Sequence, residues 1–154
     1  MKTKNYFIAA LMLALFASCQ STRVQKDERS NALITAAKDN NAAEARRLIA
    51  DGADVNATDK YGNTALWFAA ANDSPDVARL LLAAGADVNA KDKYGDAALI
   101  IAARENSPEV AKILLESGAD VNAPGYAGKT ALMIATEKEA TDIAELLEAA
   151  GARR

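Results

Sequence analysis

Residues 52–57 read Gly-Ala-Asp-Val-Asn-Ala, and the same six residues recur at 85–90 and at 118–123. The copies are 33 residues apart, and a further Gly-Ala pair stands at 151–152, one period later. Seven of the eight glycines keep this period, and Gly125 is the exception. A fixed period of this length is typical of repeat solenoids, in which each unit buries its apolar face against its neighbours.

Each repeat is predicted to contain two short helices and an extended finger. In the repeat at 62–94, residues 64–70 place apolar side chains at helical spacing. A second helix is predicted to begin at Ser74-Pro75, because serine is a common N-cap and proline is favoured at the first helical position. It should end before Gly85, and residues 86–94 then form a finger that turns at 92–95. The sequence predicts an all-α solenoid of four helix pairs, with repeats at about 30–61, 62–94, 95–127 and 128–154.

The first thirty residues predict export. Lys2 and Lys4 precede an apolar run at 6–17, which is too short to span a bilayer and is typical of a signal peptide covering residues 1–18. The end of this run, Leu-Phe-Ala-Ser-Cys at 15–19, resembles the lipobox of bacterial lipoproteins, although Phe16 departs from the usual leucine. The resemblance implies lipidation of Cys19 and a protein anchored to the membrane without spanning it. The alternative is an ordinary signal peptide that is cut nearby, with Cys19 incidental.

Residues 19–29 are predicted to be a lipidated tether. Residues 20–29 are polar and charged apart from Val24, and a coil of about ten residues spans roughly 18 Å, which would keep the folded part near the bilayer. Gln20 follows the cysteine where an aspartate commonly signals inner-membrane retention. The expected location is therefore the bacterial cell envelope, with the outer membrane favoured in a Gram-negative host.

The repeat resembles that of the ankyrin family, whose unit reads Asp-x-x-Gly-x-Thr-Pro-Leu-His-x-Ala-Ala and ends in Leu-Leu-x-x-Gly-Ala-Asp-Val-Asn. Residues 59–70 and 81–89 follow this pattern closely, and the resemblance, which covers about four-fifths of the chain, implies helix-turn-helix units with β-hairpin fingers. Three kinds of position depart from it. The proline is replaced by Ala65, Ala98 and Ala131; the histidine by Trp67, Ile100 and Met133; and one threonine by Ala97. Because the family histidine makes hydrogen bonds between repeats, we expect apolar packing to replace that polar contact here, with Trp67 in the core.

The composition argues against catalysis and against metal or nucleic-acid binding. The chain has no histidine and one cysteine, which removes Ser-His-Asp and Cys-His catalysis and Cys/His zinc sites. Its formal net charge of −3 disfavours a general phosphate-backbone binder. Residues 87–92 begin like a calcium loop, but Lys91 stands where an oxygen ligand belongs, so Asp87 and Asn89 are expected to satisfy finger backbone groups instead. We expect no enzyme activity, no cofactor and no metal.

The resemblance to ankyrin repeats implies a protein partner that contacts the finger tips and first helices, which line a concave groove. The corresponding positions are Lys60, Tyr61, Asn63, Ala71 and Asn72 in the second repeat, Lys93, Tyr94, Asp96, Arg104 and Glu105 in the third, and Tyr126, Ala127, Lys129, Glu137 and Lys138 in the fourth. The tyrosines are the strongest candidates, since tyrosine is enriched at binding hot spots. The alternative is that each tyrosine packs on the adjacent finger and only rigidifies it.

The predicted function is a membrane-anchored interaction module that binds another envelope protein and is itself a monomer. A second hypothesis is an inhibitor or immunity protein that neutralises an enzyme or toxin outside the cytoplasm. Tight binding to an enzyme would favour the inhibitor, and weak binding to a structural envelope protein would favour the scaffold.

Overall fold

The computed structural model describes residues 22–153 of the 154-residue chain. Over this range the chain forms eight α-helices and one short 3-10 helix, which confirms the predicted all-α solenoid of four helix pairs. The helices are α1 at 22–38, α2 at Ala42–Ala50, α3 at Ala65–Ala71, α4 at Pro75–Ala83, α5 at Ala98–Glu105, α6 at Pro108–Glu116, α7 at Ala131–Glu137 and α8 at Thr141–Ala149.

The helices stack in two layers. The first helices α3, α5 and α7 contact one another in series, and the second helices α2, α4, α6 and α8 form a parallel series. Alanines such as Ala69, Ala102 and Ala135 are fully buried in the first layer, so neighbouring backbones approach closely there. Larger side chains such as Leu81 and Leu114 fill the space between layers. The alanine-rich composition therefore yields one continuous core of thin, closely stacked helices.

The recurring hexapeptide Gly-Ala-Asp-Val-Asn-Ala ends the second helix of one repeat and forms hydrogen bonds with the next copy of the hexapeptide. Gly85 has a positive φ of 88° after α4, and the N–H groups of Gly85 and Ala86 donate to Leu82 O and Leu81 O, which closes the helix with a Schellman motif. Asp87 Oδ1 then accepts the N–H of Asn89, at 2.9 Å. Asn89 reaches the following copy: its Oδ1 accepts the Asp120 N–H at 2.8 Å, and its Nδ2 donates to Gly118 O at 3.4 Å.

The same asparagine contact occurs at every junction in the described range. Asn56 bonds the Asp87 N–H at 2.7 Å, and Asn122 bonds the Arg153 N–H at 2.9 Å. Each asparagine thus satisfies backbone groups of the next repeat, as predicted for residues 87–92. The 33-residue period of the sequence therefore corresponds to the same hydrogen bonds repeated between neighbouring repeats.

The fingers are less regular than the predicted β-hairpins. Residues 22–153 contain no extended strand; single antiparallel bridges join Thr58 to Thr64 and Lys91 to Ala97. The third finger instead turns through a 3-10 helix at Tyr126–Gly128. In the first two tips, aspartate side chains accept backbone N–H groups, and one backbone bond crosses each turn, from Asp59 N to Asn63 O and from Asp92 N to Asp96 O.

The coil predicted for the tether is wrong at residues 22–29, which are helical and form the first half of α1. The first repeat has no preceding finger, and this part of the chain takes its place. Ser30 Oγ accepts the Asp54 N–H at 3.0 Å, the bond that asparagines make at later junctions, and Arg29 Nη1 donates to Asp51 O at 2.9 Å. These contacts hold the middle of α1 against the first Gly-Ala-Asp segment.

The predicted signal peptide and Cys19 lie outside the described residues. Between residues 22 and 153, no helix combines the length and the apolar character needed to cross a membrane.

Candidate functional site

Five exposed side chains at the finger tips form a continuous row of alternating charge and aromatic surface. We call Lys60, Tyr61, Lys93, Tyr94 and Tyr126 the tip strip. Lys60 Nζ lies 4.8 Å from the centroid of the Tyr61 ring, and Lys93 Nζ lies 4.0 Å from the Tyr61 ring and 5.0 Å from the Tyr94 ring. The Tyr94 and Tyr126 rings meet edge to face, with centroids 6.2 Å apart. Three successive fingers therefore contribute to one surface.

The tyrosines remain accessible despite these contacts. Tyr61 is 40% exposed, Tyr94 56% and Tyr126 63%. Contact between neighbouring fingers, as the alternative interpretation expected, does occur for Tyr94 and Tyr126. It leaves a large part of each ring available, so rigidity of the tip and partner contact are compatible.

Aspartate side chains accept backbone N–H groups of the first two finger tips. Asp59 Oδ1 accepts the N–H groups of Tyr61 and Asn63, at 2.8 and 3.0 Å. Asp92 Oδ1 makes the same two bonds one repeat later. The tips are also joined directly, because the Lys93 N–H donates to Tyr61 O at 3.0 Å. The backbone beneath the tip strip is thus fixed by hydrogen bonds within and between the fingers.

The third tip is built differently because Gly125 occupies the position of Asp59 and Asp92. Asp96, from the neighbouring finger, supplies the missing acceptor: its Oδ1 takes the Tyr126 N–H at 2.7 Å. A Cβ atom at residue 125 would overlap Asp96 Oδ1 and Ile100 Cδ1. The glycine outside the 33-residue period is therefore required where the third finger rests on the second.

Asn63 and Asp96 were predicted to contact a partner. This prediction is wrong, because both side chains are buried. Asn63 is 9% exposed and its Nδ2 donates to Asp59 Oδ2 at 3.2 Å. Asp96 is 3% exposed and pairs with Arg104 Nη2 at 2.5 Å in addition to its bond to the third tip. Asp96 is turned inward because its Oδ1 accepts the Tyr126 N–H, which would otherwise lack a partner, whereas the Asn63 side chain is turned inward to bond the carboxylate of Asp59. They position the tip strip and are not available to a partner.

Of the remaining predicted positions, some lie together beneath the third tip, whereas Asn72 and Glu105 lie at the ends of α3 and α5. Glu105 is exposed, and Asn72 Nδ2 donates to Lys38 O at 3.1 Å. An open depression of about 360 Å³ lies beneath the third tip, next to α7. Its charged rim includes the ion pair between Lys129 Nζ and Glu137 Oε2, at 2.7 Å. The depression is lined by Arg104, Tyr126, Ala127, Lys129, Ile134, Glu137 and Lys138.

Trp67 corrects the expectation that polar contact between repeats has been lost. Its ring is half-buried and meets Phe68 edge to face, with centroids 5.0 Å apart. Its Nε1–H donates to Asp92 Oδ2 at 3.2 Å, across to the following finger. The indole thus keeps an inter-repeat hydrogen bond at the position of the family histidine. Of the other two replacements, Ile100 is buried as expected, whereas Met133 is 40% exposed on α7.

Neither clustered metal ligands nor shifted pKa values point to a further site in the described residues. Among residues 22–153, no three Asp, Glu, Cys or His side chains come together as metal ligands. On α2, hydrogen bonding from Arg47 lowers the pKa of Glu44, and the same bond raises the pKa of Arg47. That pair is fully solvated and lies on a second helix, not at the tip strip.

The lysines were predicted as contact residues, but their stacking on the tyrosine rings was not. Nor were Asp59 and Asp92 identified as the residues that hold the tips. The signal was present in the repeated tetrapeptide Asp-Lys-Tyr-Gly, which stands at 59–62 and at 92–95. A repeated acidic residue two positions before a turn residue is typical of a side chain that accepts backbone N–H groups.

Comparison with known proteins agrees with this architecture. A family model described as ankyrin repeats, in three copies, matches residues 4–92 and 84–153. A mitochondrial disaggregase from Rattus norvegicus is 45% identical over 56 residues, which is 36% of this chain and 8% of that protein. The chain thus spans a small part of that relative, and the similarity is confined to repeats.

Ankyrin repeats are protein–protein interaction modules and are generally not enzymes. Because the family model matches well over half of the sequence and the fold is the expected stack of helix pairs, the chain belongs to the ankyrin repeat family.

Proposed function

We propose that this protein is an exported lipoprotein of the bacterial envelope that captures another protein on its tip strip and the adjoining groove. The observation that carries the proposal is the strip itself. Three exposed tyrosines and two lysines lie in a row on fingers whose own hydrogen bonds are satisfied internally. Tyrosine offers a large contact area with few rotatable bonds, so a fixed row of tyrosines loses little conformational entropy on binding.

Anchoring is supported by the signal sequence and by the position of α1. In the sequence, Gln20 and Ser21 alone separate Cys19 from residue 22, where the described helix begins. Because the middle of α1 is bonded to the first repeat, a lipid on Cys19 would hold the whole solenoid near the membrane surface. Two or more acyl chains suffice for stable attachment.

The binding proposal is tested by capture from solubilised envelope with full-length tagged protein. The Tyr61→Ala/Tyr94→Ala variant should lose the captured partner, while its free energy of unfolding falls by only about 1 kcal/mol, since the lost ring contacts are exposed. The control variant is Arg79→Ala/Glu109→Ala, which removes an exposed ion pair on the second helices, and it should retain the partner. Equal capture by the tyrosine variant and the wild type would place binding elsewhere. The captured protein, an enzyme or a structural component, also decides between inhibitor and scaffold.

Anchoring is tested separately by Cys19→Ser. This change should abolish incorporation of labelled fatty acid and move the protein from the membrane fraction to the soluble fraction after cell breakage. Unchanged labelling and sedimentation would contradict lipidation at Cys19. Export followed by ordinary cleavage nearby would give a soluble protein for both the wild type and the variant.

A further inference from the structure

We infer that the tip strip recognises an acidic, extended polypeptide segment. Carboxylates of that segment would meet Lys60 and Lys93, and its apolar side chains would lie on the rings of Tyr61, Tyr94 and Tyr126. The inference rests on the proposed function and specifies the chemistry of its partner. It follows from where the charged groups of the finger tips lie. Each tip has nearly equal numbers of acidic and basic residues, but the two kinds of group face different directions.

At the finger tips, the carboxylates turn inward and the ammonium groups turn outward. Asp59 and Asp92 are occupied by backbone N–H groups of their own tips, and Asp92 also accepts the Trp67 indole. Asp96 is buried against Arg104 and the third tip. Lys60 and Lys93 are exposed and form no ion pair with any carboxylate of residues 22–153. The face that a partner meets is therefore cationic, although the protein as a whole carries a net charge of −3.

The lysines are also held in place before any partner binds. Lys93 Nζ sits between two tyrosine rings, at 4.0 and 5.0 Å from their centroids, and Lys60 Nζ lies over one of them. A cation over an aromatic face keeps its N–H groups free to donate to a carboxylate. Because long side chains normally lose rotamer freedom when they form an ion pair, this placement lowers the entropic cost of binding.

A polypeptide fits the strip better than a phosphate polymer or an anionic membrane. The cationic surface is narrow and is interrupted by three tyrosines, which suits alternating acidic and apolar side chains. The net negative charge of the whole protein opposes the approach of a long polyanion, whereas a short segment experiences mainly the local charges. The hydrogen bond from Lys93 N to Tyr61 O and the contact between the Tyr94 and Tyr126 rings place the three tips side by side, so that one extended chain can contact all of them.

The test uses full-length protein in mild detergent and fluorescently labelled synthetic peptides. One peptide alternates glutamate with leucine or valine, a second carries glutamine in place of each glutamate, and a third carries lysine. Anisotropy should show binding of the acidic peptide, weaker binding of the glutamine peptide and none of the lysine peptide. Binding of the acidic peptide should weaken as NaCl rises from about 0.05 M to about 0.5 M, because exposed charges are screened.

Variants assign this binding to the strip. Lys60→Gln/Lys93→Gln should weaken the acidic peptide roughly fivefold, since exposed ion pairs are individually weak, and should leave the glutamine peptide unaffected. The matched control is Arg46→Gln/Lys112→Gln, which removes the same charge from exposed positions outside the strip and should not change binding. Equal binding of the acidic and glutamine peptides, or equal loss in the two charge variants, would overturn the inference.

Other polyanions serve as competitors. Single-stranded DNA and phosphatidylglycerol vesicles should fail to displace the acidic peptide, and displacement at comparable charge concentration would overturn the choice of a polypeptide. The proposed function has its own readout in the tyrosine variant. If the captured envelope protein is lost with Tyr61→Ala/Tyr94→Ala but kept with Lys60→Gln/Lys93→Gln, partner capture stands and the acidic chemistry is wrong.

Discussion

At the scale of single residues, the finger region depends on a few carboxylates that each satisfy several donors. Asp92 accepts two tip N–H groups on one oxygen and the Trp67 indole on the other. Asp96 connects the second tip to the third, and also binds Arg104. Such groups matter more than their number suggests, because a donor left without its acceptor in a buried place costs more than the bond itself contributes.

Replacement of Trp67 measures how much the hydrogen bond from its indole N–H to Asp92 contributes to stability. Trp67→Phe keeps an aromatic ring but removes the N–H that reaches Asp92, so the free energy of unfolding should fall by about 1–2 kcal/mol. Trp67→His, which restores the residue common in ankyrin repeats, should lose less because its ring N–H can take over the bond. Denaturant unfolding followed by circular dichroism gives the comparison. A Trp67→Phe midpoint equal to that of the wild type would show that the bond contributes nothing.

At the scale of elements, the first helices differ mainly in how they begin. Thr64 caps α3 by accepting the Trp67 N–H at 3.1 Å, and Thr130 caps α7 by accepting the Met133 N–H at 3.4 Å. Ala97 precedes α5 and makes no such bond. Its backbone nevertheless has φ −89° and ψ 165°, close to −86° and 168° at Thr64. The backbone of α5 is therefore already arranged for a cap that the side chain does not supply.

The substitution Ala97→Thr should supply the missing side-chain cap of α5. We expect a gain of about 1 kcal/mol in the free energy of unfolding, the usual value of a threonine N-cap, because the matching position at Thr64 accommodates the same side chain in an equally buried place. The reverse change, Thr64→Ala, serves as the control and should lose a similar amount. Thermal melts of the two variants beside the wild type measure both. A lower melting temperature for Ala97→Thr would mean that the added methyl group is crowded by the adjacent repeat.

The elements were predictable where short sequence patterns determine them. Pro75 begins α4 and Gly85 follows its end, as these local patterns predict, although the Ser74 side chain makes no N-cap hydrogen bond and its Oγ donates to Asn72 O instead. The candidate site was only partly predictable, since its decisive contacts join distant residues. Asp96 was assigned to the surface because its bond partner, the Tyr126 N–H, lies thirty positions along the chain. Likewise, the polar residues 22–29 looked like a coil because the contacts that hold them come from the first repeat.

At the scale of the whole molecule, the repeats are joined by a chain of identical side-chain bonds. Asn56, Asn89 and Asn122 each bind backbone groups of the following repeat, and Ser30 makes the corresponding bond at the beginning. In a linear stack, each repeat contacts only its neighbours, so cooperative unfolding depends on these junctions. The tip strip crosses two of the same junctions. Loss of a central bond should therefore affect the alignment of the fingers as well as stability.

Asn89→Ala tests this dependence, because it removes two bonds at the central junction, to the Asp120 N–H and to Gly118 O. Trp67 is the only tryptophan and lies before that junction, so its fluorescence reports the first half of the stack, whereas far-UV circular dichroism reports all helices. The two transitions should coincide in the wild type and separate in Asn89→Ala, with the repeats after the junction unfolding at lower denaturant concentration. Asn122→Ala removes the same bonds at the last junction and should leave the Trp67 transition unchanged. Coincident transitions in Asn89→Ala would show that apolar packing alone couples the repeats, and that the asparagines only satisfy backbone groups.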